Sequence, residues 1–271
     1  AFRMFCTPTF ARRRKLPTVW PMFGLRRRRT VADMALLLGV MMSAEVSADP
    51  IPTVPRVAFS PDLGDLPVDP PVRAATARTV DALADAGWEV VEACPDLTGA
   101  DRCFEDLRGL FQTFHMAPLV DDERVKATAR YEIRLGLSLD ADRIAAAVAT
   151  EGRIRSDWDR FFVEGQFDAF LSPTTQVSPF PIGMEWVDEI DGVSLDHYTH
   201  WMRSCSRITV TGAPSASLPA GFTDGGLPIG IQFAGRRHGD AALVALLAAA
   251  EEVFGTAPAP DIGALATLDA K

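Results

Sequence analysis

The feature that most constrains the fold of this chain is a strand–helix–strand pattern between residues 56 and 91. Arg56–Ser60 and Trp88–Val91 are short runs with apolar centres, which is typical of buried strands. Between them, Pro71–Ala86 carries an apolar stripe at helical spacing, with proline at its start and Gly87 after its end. A strand, a helix and a strand within about 35 residues imply two parallel strands joined by a right-handed crossover. The sequence therefore predicts an α/β fold.

The rest of the chain also alternates helices with short apolar strands. Helices are predicted at 30–43, through most of 100–163, and at 195–208 and 240–254. Strands are predicted at 167–172, 215–219 and 230–234, with a turn at Asp224-Gly225-Gly226. The expected architecture is a mixed, mostly parallel sheet that is covered by helices on both faces.

Charge and cysteine usage limit the partners and the compartment. The net charge of −9 argues against nucleic-acid binding, and the dense basic stretches, Arg12–Lys15 and Arg26–Arg29, lie in the first thirty residues. The four cysteines are scattered, without a CxxC pair, in a chain long enough to form a core without disulfides. We expect a cytoplasmic protein whose partners are small molecules or other proteins.

One segment imitates an export signal. Arg26–Arg29, the apolar Met34–Met42 and the small residues around Ala44–Ala48 follow one another as charged, apolar and cleavage regions do. Thr30–Asp33 instead resembles a helix start with an acidic residue in its first turn. The apolar run is also shorter than the ~20 residues that span a bilayer, so we expect no membrane insertion. An exported protein processed near Ala48 remains an alternative hypothesis.

Three regions differ in character along the chain. Residues 1–28 have no apolar period and mix prolines with arginine clusters, so we predict that they are disordered. Residues 29–256 contain all the predicted helices and strands, and 257–271 form a tail.

Several blocks of 29–256 together resemble the C-terminal half of the amidase signature family. The two most specific blocks are Phe167–Thr175 and Thr211–Gly221, the latter continuing through Gly226–Phe233. Arg29–Leu38 resembles the family's helix after its catalytic core, and Arg56–Ser60 with Val68-Asp69-Pro70 resembles the opening of its second region. The blocks are colinear, so the resemblance implies an amidase-signature fold that is incomplete in this chain.

The resemblance implies hydrolysis of carboxamide C–N bonds, without a cofactor, by a serine nucleophile, a bridging serine and a lysine base. A neutral serine attacks poorly unless an adjacent base takes its proton, and a lysine serves as that base only when it is desolvated. None of Lys15, Lys126 and Lys271 has an apolar context followed by a Gly/Ser-rich loop, and Gly225-Gly226 has no neighbouring serine. No catalytic residue is therefore assigned.

The missing residues leave the function open between two hypotheses. In the first, the chain is inactive alone, and it either pairs with a complementing N-terminal half or self-associates. In the second, it is a non-catalytic protein that binds an amide ligand or a partner subunit.

The resemblance places five residues near the substrate pocket. Thr174 and Thr175 end a buried strand, where ligands collect in open α/β sheets. Thr211, Gly212 and Pro214 form a tight turn that leads into the strand at 215–219. For each group a structural role is the alternative: hydroxyls that bond nearby backbone for the threonines, and backbone geometry for the turn.

Other candidate sites lack the residues that they would need. His197 and His200 lie three apart on a predicted helix, but no third metal ligand stands at a telling spacing, so no metal is expected. Ser215 and Ser217 lack the Gly-x-Ser-x-Gly elbow of a serine hydrolase triad. Cys205 is expected to be a buried structural thiol rather than a nucleophile.

Overall fold

The computed structural model describes residues 4–5, 30–43 and 50–255. Within them the chain forms seven α-helices: α1 (Val31–Met42), α2 (Pro70–Asp85), α3 (Ala100–Met116), α4 (Ala127–Leu137), α5 (Ala141–Gly165), α6 (Arg203–Thr211) and α7 (Asp240–Phe254). Its strands are β1 (Met4–Phe5), β2 (Arg56–Phe59), β3 (Glu89–Glu92), β4 (Ala169–Pro173), β5 (Glu189–Ile190), β6 (Val193–Ser194), β7 (Ser215–Phe222) and β8 (Pro228–Ala234).

The described strands form one mixed sheet and one small hairpin. The sheet has the order β1-β7-β8-β4-β2-β3, and β5 pairs with β6. β3, β2 and β4 are parallel, whereas β8 is antiparallel to β4, β7 to β8 and β1 to β7. Four of these six strands, β3, β2, β4 and β7, therefore run in one direction. The predicted strand–helix–strand unit is β2, α2 and β3, with the expected parallel pairing.

Helices cover the sheet on both faces, as the alternation of elements predicts. On the first face, side chains of α1, α2 and α7 pack against every second residue of the central strands, such as Val57, Leu171 and Phe233. On the second face, α3, α5 and α6 pack against the intervening residues, such as Ala58 and Phe170. Because successive side chains of a strand point to opposite faces, one set of short strands supplies two cores.

Two helix starts follow the capping rules that their sequences suggest. The Thr30 hydroxyl accepts the backbone N–H of Asp33, and the Asp140 carboxylate accepts that of Arg143 at 2.8 Å. Glu251 of α7 also accepts the N–H of Val31 at 3.1 Å. A carboxylate at a helix N-terminus offsets the positive end of its dipole, so α7 fixes the start of α1.

The structure differs from the sequence prediction most clearly before α6. The predicted helix 195–208 is replaced by an extended segment, a 3₁₀ turn at Tyr198–Met202, and α6 from Arg203. The Thr199 hydroxyl donates to Glu105 on α3, and the Tyr198 hydroxyl donates to Glu132 on α4. These contacts with distant residues override the local helical preference.

The N-terminal and C-terminal segments lie mostly outside the described residues. Met4–Phe5 pairs with Ala216 and Ser215, and nothing else of 1–28 is described. The predicted disorder of 1–28, the tail 257–271 and the small residues around Ala44–Ala48 also fall there. The apolar run Met34–Met42 lies in α1, where Met34 and Leu38 are buried in the first-face core.

Candidate active-site wall at the carboxyl end of strand β4

β4 is buried along its whole length, and its carboxyl end is held by a glutamine from the neighbouring strand. The buried Gln232 of β8 donates its side-chain N–H groups to Ser172 Oγ at 3.0 Å and to the Ser204 carbonyl oxygen at 2.9 Å. A third, longer contact of 3.3 Å reaches the carbonyl of Pro173. Since a buried amide must satisfy its donors, Gln232 joins β8, β4 and the start of α6 into one unit.

Thr174, the first residue after β4, is fixed through its backbone and its side chain. Its carbonyl oxygen accepts hydrogen bonds from Ser204 Oγ at 3.0 Å and Cys205 Sγ at 2.8 Å. Its backbone N–H donates to the carbonyl of Gly230 at 3.1 Å. Its hydroxyl lies 2.6 Å from that of Ser217, a buried residue of β7. Three elements, α6, β8 and β7, thus position one half-buried hydroxyl.

The Thr174–Ser217 hydroxyl pair has one O–H group that is not used in the hydrogen bond between the two residues. Each hydroxyl carries one proton, and the hydrogen bond between the two oxygens uses only one of them. The pair can therefore donate one hydrogen bond to a ligand at this edge of the sheet, where ligands bind in open α/β folds.

Gly230 makes room for this pair. A Cβ atom at Gly230 would lie 2.7 Å from Ser217 Oγ and 2.9 Å from Thr174 Oγ1, inside any normal contact distance. Any larger residue at this position would push the two hydroxyls apart.

Thr175 forms its hydrogen bond within the loop after β4 and not with the Thr174–Ser217 pair. Its hydroxyl donates to the Val177 carbonyl at 2.9 Å, and its place in the substrate pocket stays a prediction. The next side chain, Gln176, is fully buried and donates to the Pro67 carbonyl at 3.0 Å. The Gln176 bond ties the loop after β4 to the segment that precedes α2.

The structure does not bring Thr211, Gly212 and Pro214 together with Thr174. The register pairs Phe170 with Ala234 and Ala234 with Ser215, so Pro214 lies at the same end of the sheet as the amino end of β4, with β8 between them. α6 runs between the two ends of β4. Its first turn, with Ser204, lies near Thr174 at the carboxyl end, and Thr211 lies near the amino end.

Local geometry accounts for these three residues. Thr211 is fully buried, and its hydroxyl donates to the Ile208 carbonyl at 2.7 Å. Gly212 ends α6 with a φ of 68°, in the left-handed region that favours glycine. Pro214 accepts the N–H of Gly235 at 2.9 Å. Their place in the substrate pocket stays a prediction.

An ion-pair cluster anchors α6, and sequence reasoning missed it. Arg207 donates to both carboxylate oxygens of Asp101, at 2.8 and 2.7 Å, and also binds Asp65 and the Leu63 carbonyl. Burial alone would lower the pKa of Arg207, but the bonds with Asp101 and Asp65 outweigh it and hold the pKa above its usual value. Because α6 carries Ser204 and Cys205, this cluster also fixes the donors that hold Thr174.

The histidine pair forms hydrogen bonds and is not part of a metal cluster. His197 Nδ1 lies 2.9 Å from Thr199 Oγ1, and His200 Nε2 lies 3.2 Å from Glu105 Oε1. Burial lowers the pKa of His197, with Glu105 opposing that effect. Within the described part of the chain, no group of three or more His, Cys, Asp or Glu side chains could hold a metal ion.

Lys126 does not have the environment of a catalytic base. It precedes α4, its side chain is 77% exposed, and its ammonium lies 3.9 Å from the Glu185 carboxylate. A lysine that serves as a base needs burial to favour its neutral form, and this one has none. Lys15 and Lys271 lie outside the described residues.

A cavity of about 250 Å³ lies at the amino end of β4, away from Thr174. Asp168, Arg236 and Leu246 are among its lining residues. Since ligands in open α/β sheets bind at the carboxyl ends of strands, we do not assign substrate binding to this cavity.

Comparison with known proteins decides the family. The sequence profile of the family described as Amidase matches residues 29–244 of this chain. The chain belongs to the amidase family. Two curated amidase relatives are an acylamidase of Rhodococcus erythropolis, 27% identical over 83% of this chain, and an indoleacetamide hydrolase of Bradyrhizobium japonicum, 32% identical over 81%. The chain spans about half the length of both, 51% and 50%.

Solved amidase structures share the fold over the same portion. A bacterial aryl acylamidase of the amidase signature family superposes with a TM-score of 0.70 at 20% identity, covering 83% of this chain and 51% of the other. A structure described as an amidase gives a TM-score of 0.73 at 21% identity, with the same coverages. At this identity the likeness shows the fold alone: a partial amidase-signature fold. Among the described helices, none is long and apolar enough to cross a membrane.

Proposed function

We propose that this chain forms a wall of the substrate pocket, and much of the scaffold, of an amidase that hydrolyses carboxamide C–N bonds. The observation that carries the proposal is the Thr174–Ser217 hydroxyl pair at the carboxyl end of β4. Gln232, Ser204 and Cys205 fix the backbone beside this pair, in a chain that belongs to the amidase family. Such a pre-oriented donor suits the carbonyl or another polar group of an amide substrate.

The chain supplies neither the base nor the nucleophile of the reaction in this proposal. Lys126 is exposed, and no Gly/Ser-rich loop of the kind that the family uses occurs in the sequence. The serine and lysine then come from polypeptide beyond these 271 residues. Without them, only binding and fixed dipoles remain, and these do not cleave an amide at an appreciable rate.

Ammonia release from indoleacetamide and from simple aliphatic and aromatic amides tests the catalytic part. The purified chain should show no release above background. Turnover that survives repurification and disappears on a single Ser→Ala change within residues 30–271 would refute this reading.

Binding of indoleacetamide, measured by isothermal titration calorimetry, tests the role of the hydroxyl pair. Thr174→Val removes the half-buried hydroxyl of the pair, leaves only the buried Ser217 hydroxyl and keeps the side-chain shape, so affinity should fall by about fivefold to tenfold, the equivalent of one hydrogen bond. Thr128→Val is the matched control, at a half-buried position of α4 whose hydroxyl donates to Glu185, and should bind like the parent. If both variants bound indoleacetamide with equal affinity, Thr174 would not be part of the pocket.

The non-catalytic alternative accommodates the exposure of Lys126 equally well. It predicts that the chain binds an amide and still shows no turnover when the other half of an amidase fold is bound to it. The same ammonia assay on that complex separates the two functions.

A further inference from the structure

The 3₁₀ turn Tyr198–Met202, which we call the pre-α6 turn, is held by a carboxylate of another helix. His197 caps the turn, and its Nδ1 lies 2.9 Å from the Thr199 hydroxyl oxygen. That hydroxyl donates to Glu105 Oε1 on α3 at 3.0 Å, and His200 Nε2 lies 3.2 Å from the same oxygen. The conformation of the turn therefore depends on a hydrogen-bonded line that runs from His197 to α3.

The surroundings of His197 favour its neutral ring. Its Nε2 atom is buried and has no hydrogen-bond partner among the described residues. A protonated imidazole carries an N–H on each ring nitrogen, so one N–H would donate to Thr199 and the other would be buried without an acceptor. A buried charged group with an unpaired donor is costly. Protonation of His197 therefore opposes the conformation of the pre-α6 turn.

Within the described part of the chain, the charged groups around His197 do not supply the missing acceptor. The charged and titratable groups that face its ring come from three elements: Glu105 and Arg108 on α3, Tyr131 and Glu132 on α4, and Tyr198 and His200 in the pre-α6 turn. The two carboxylates favour a protonated ring, whereas burial, His200 and Arg108 oppose it. Burial has the largest effect, so the pKa of His197 lies below the ordinary value of 6.5. The folded chain therefore protonates this ring only at acidic pH.

The pre-α6 turn leads directly into the residues that hold Thr174. Arg203, the first residue of α6, donates to the His200 carbonyl at 3.2 Å. The next two residues, Ser204 and Cys205, donate to the Thr174 carbonyl oxygen at 3.0 and 2.8 Å. A movement of the turn therefore displaces the donors that fix Thr174.

We propose that His197 is a positioning residue for the Thr174–Ser217 hydroxyl pair, and that the pair keeps its orientation only while His197 is neutral. When the ring takes up a proton from solvent, it leaves its buried position, the pre-α6 turn shifts, and the pair loses its fixed orientation. An amide ligand then binds more weakly at acidic pH. Only this last step rests on the proposed function, because it requires the pair to contact the ligand.

Hydrogen–deuterium exchange, measured by mass spectrometry, tests the coupling without a ligand. His197→Asn keeps a side-chain amide that can bond Thr199, and it cannot take up a proton between about pH 5 and about pH 8. At about pH 5, segments 173–178 and 198–206 should exchange about fivefold faster in the parent than in His197→Asn. At about pH 8 the two proteins should exchange equally, and segment 240–254 of α7 should exchange equally at both pH values.

Two further variants separate His197 from the other histidines. His115→Gln, at an exposed position of α3, is the matched control and should keep the exchange behaviour of the parent. His200→Gln removes the second ring of the pre-α6 turn, and circular dichroism at both pH values establishes that each protein is folded. Loss of the pH effect in His200→Gln, with its retention in His197→Asn, would assign the effect to His200 and overturn the proposal.

Calorimetric titration with indoleacetamide, which has no group that titrates in this range, tests the consequence for binding. Between about pH 8 and about pH 5 the affinity of the parent should fall about fivefold to tenfold, the equivalent of one hydrogen bond, and that of His197→Asn by less than about twofold. Equal exchange of the parent and His197→Asn at about pH 5 would overturn the proposal. The expected exchange without amide binding at either pH would support the positioning role and contradict the proposed function.

Discussion

The helices that cover the two faces of the sheet differ in the side chains that they expose to solvent. On the second face, α5 presents Arg153, Asp157 and Arg160 to solvent in exposed ion pairs. On the first face, α1 exposes the apolar side chains of Leu36, Val40, Met41 and Met42, and its one charged residue is Asp33. Both faces have well-packed inner sides, so packing against the sheet does not distinguish them. The comparison singles out α1 as a helix whose exposed side chains are mostly apolar.

The largest expected effect tests whether the second face is a finished core. Phe162 is buried among the rings of Trp158 and Phe161, so Phe162→Ala should cost about 3–5 kcal/mol of unfolding free energy. Phe114→Ala, at a position of α3 that is 79% exposed, should change it by less than ~0.5 kcal/mol. The urea midpoints at one fixed protein concentration provide the measurement, and similar midpoints would mean that this face is loosely packed.

The next effect concerns the close contact between α3 and α4. A Cβ atom at Gly136 would lie 2.0 Å from the Gly109 carbonyl oxygen and 2.2 Å from Thr113 Oγ1. Gly136→Ala should therefore cost about 1–3 kcal/mol through overpacking. Gly152→Ala is the control within α5, where nothing lies within 4 Å, and should stabilise the chain by ~0.5–1 kcal/mol. Urea midpoints that shift in the same direction for both variants would contradict the close crossing.

A smaller effect is expected from the ion-pair cluster that anchors α6. Asp101→Asn leaves the buried Arg207 with Asp65, which is exposed, and with a backbone carbonyl. We expect a loss of about 1–2 kcal/mol, less than for a fully isolated buried charge. Asp122→Asn removes an exposed ion pair with Arg124 and should leave the urea midpoint in place. An unchanged midpoint for Asp101→Asn would show that α6 does not depend on this cluster.

The smallest effect is a pH dependence from His197. Burial lowers its pKa in the folded chain below the ordinary value of 6.5, so the unfolded chain binds more protons as the pH falls through that value. The stabilising contribution of the neutral ring is present above pH 6.5 and is lost progressively below it. His197→Gln should flatten this part of the curve of urea midpoint against pH. A slope that is the same in both proteins would assign the pH dependence to other groups.

Sequence patterns predicted those helices and helix caps that depend on residues close together in the sequence. The predicted helix 240–254 matches α7, and the caps at Thr30 and Asp140 form as their residue types suggest. The helix predicted at 195–208 begins late, because Tyr198 and Thr199 bond to α4 and α3. Those partners lie far from residue 198 in the sequence, so no local pattern could predict these bonds.

The candidate site was less predictable than the fold for the same reason. Thr174 could be placed from its position at the end of a strand, but its pairing with Ser217 depends on the register of β7, β8 and β4. Gln232 offered a usable signal, since a polar residue inside an apolar strand usually has a buried partner. The turn at Thr211 lies at the opposite end of β4, a separation that the resemblance alone did not reveal.

Light scattering with an apolar dye, on the purified 271-residue chain, tests most directly whether one face of this amidase fold is uncovered. The exposed apolar side chains of α1, Leu36, Val40, Met41 and Met42, predict an associating or aggregating protein that binds the dye strongly. A monodisperse monomer that melts cooperatively and binds little dye would contradict this expectation, because it would show that the chain covers the apolar side chains of α1 by itself.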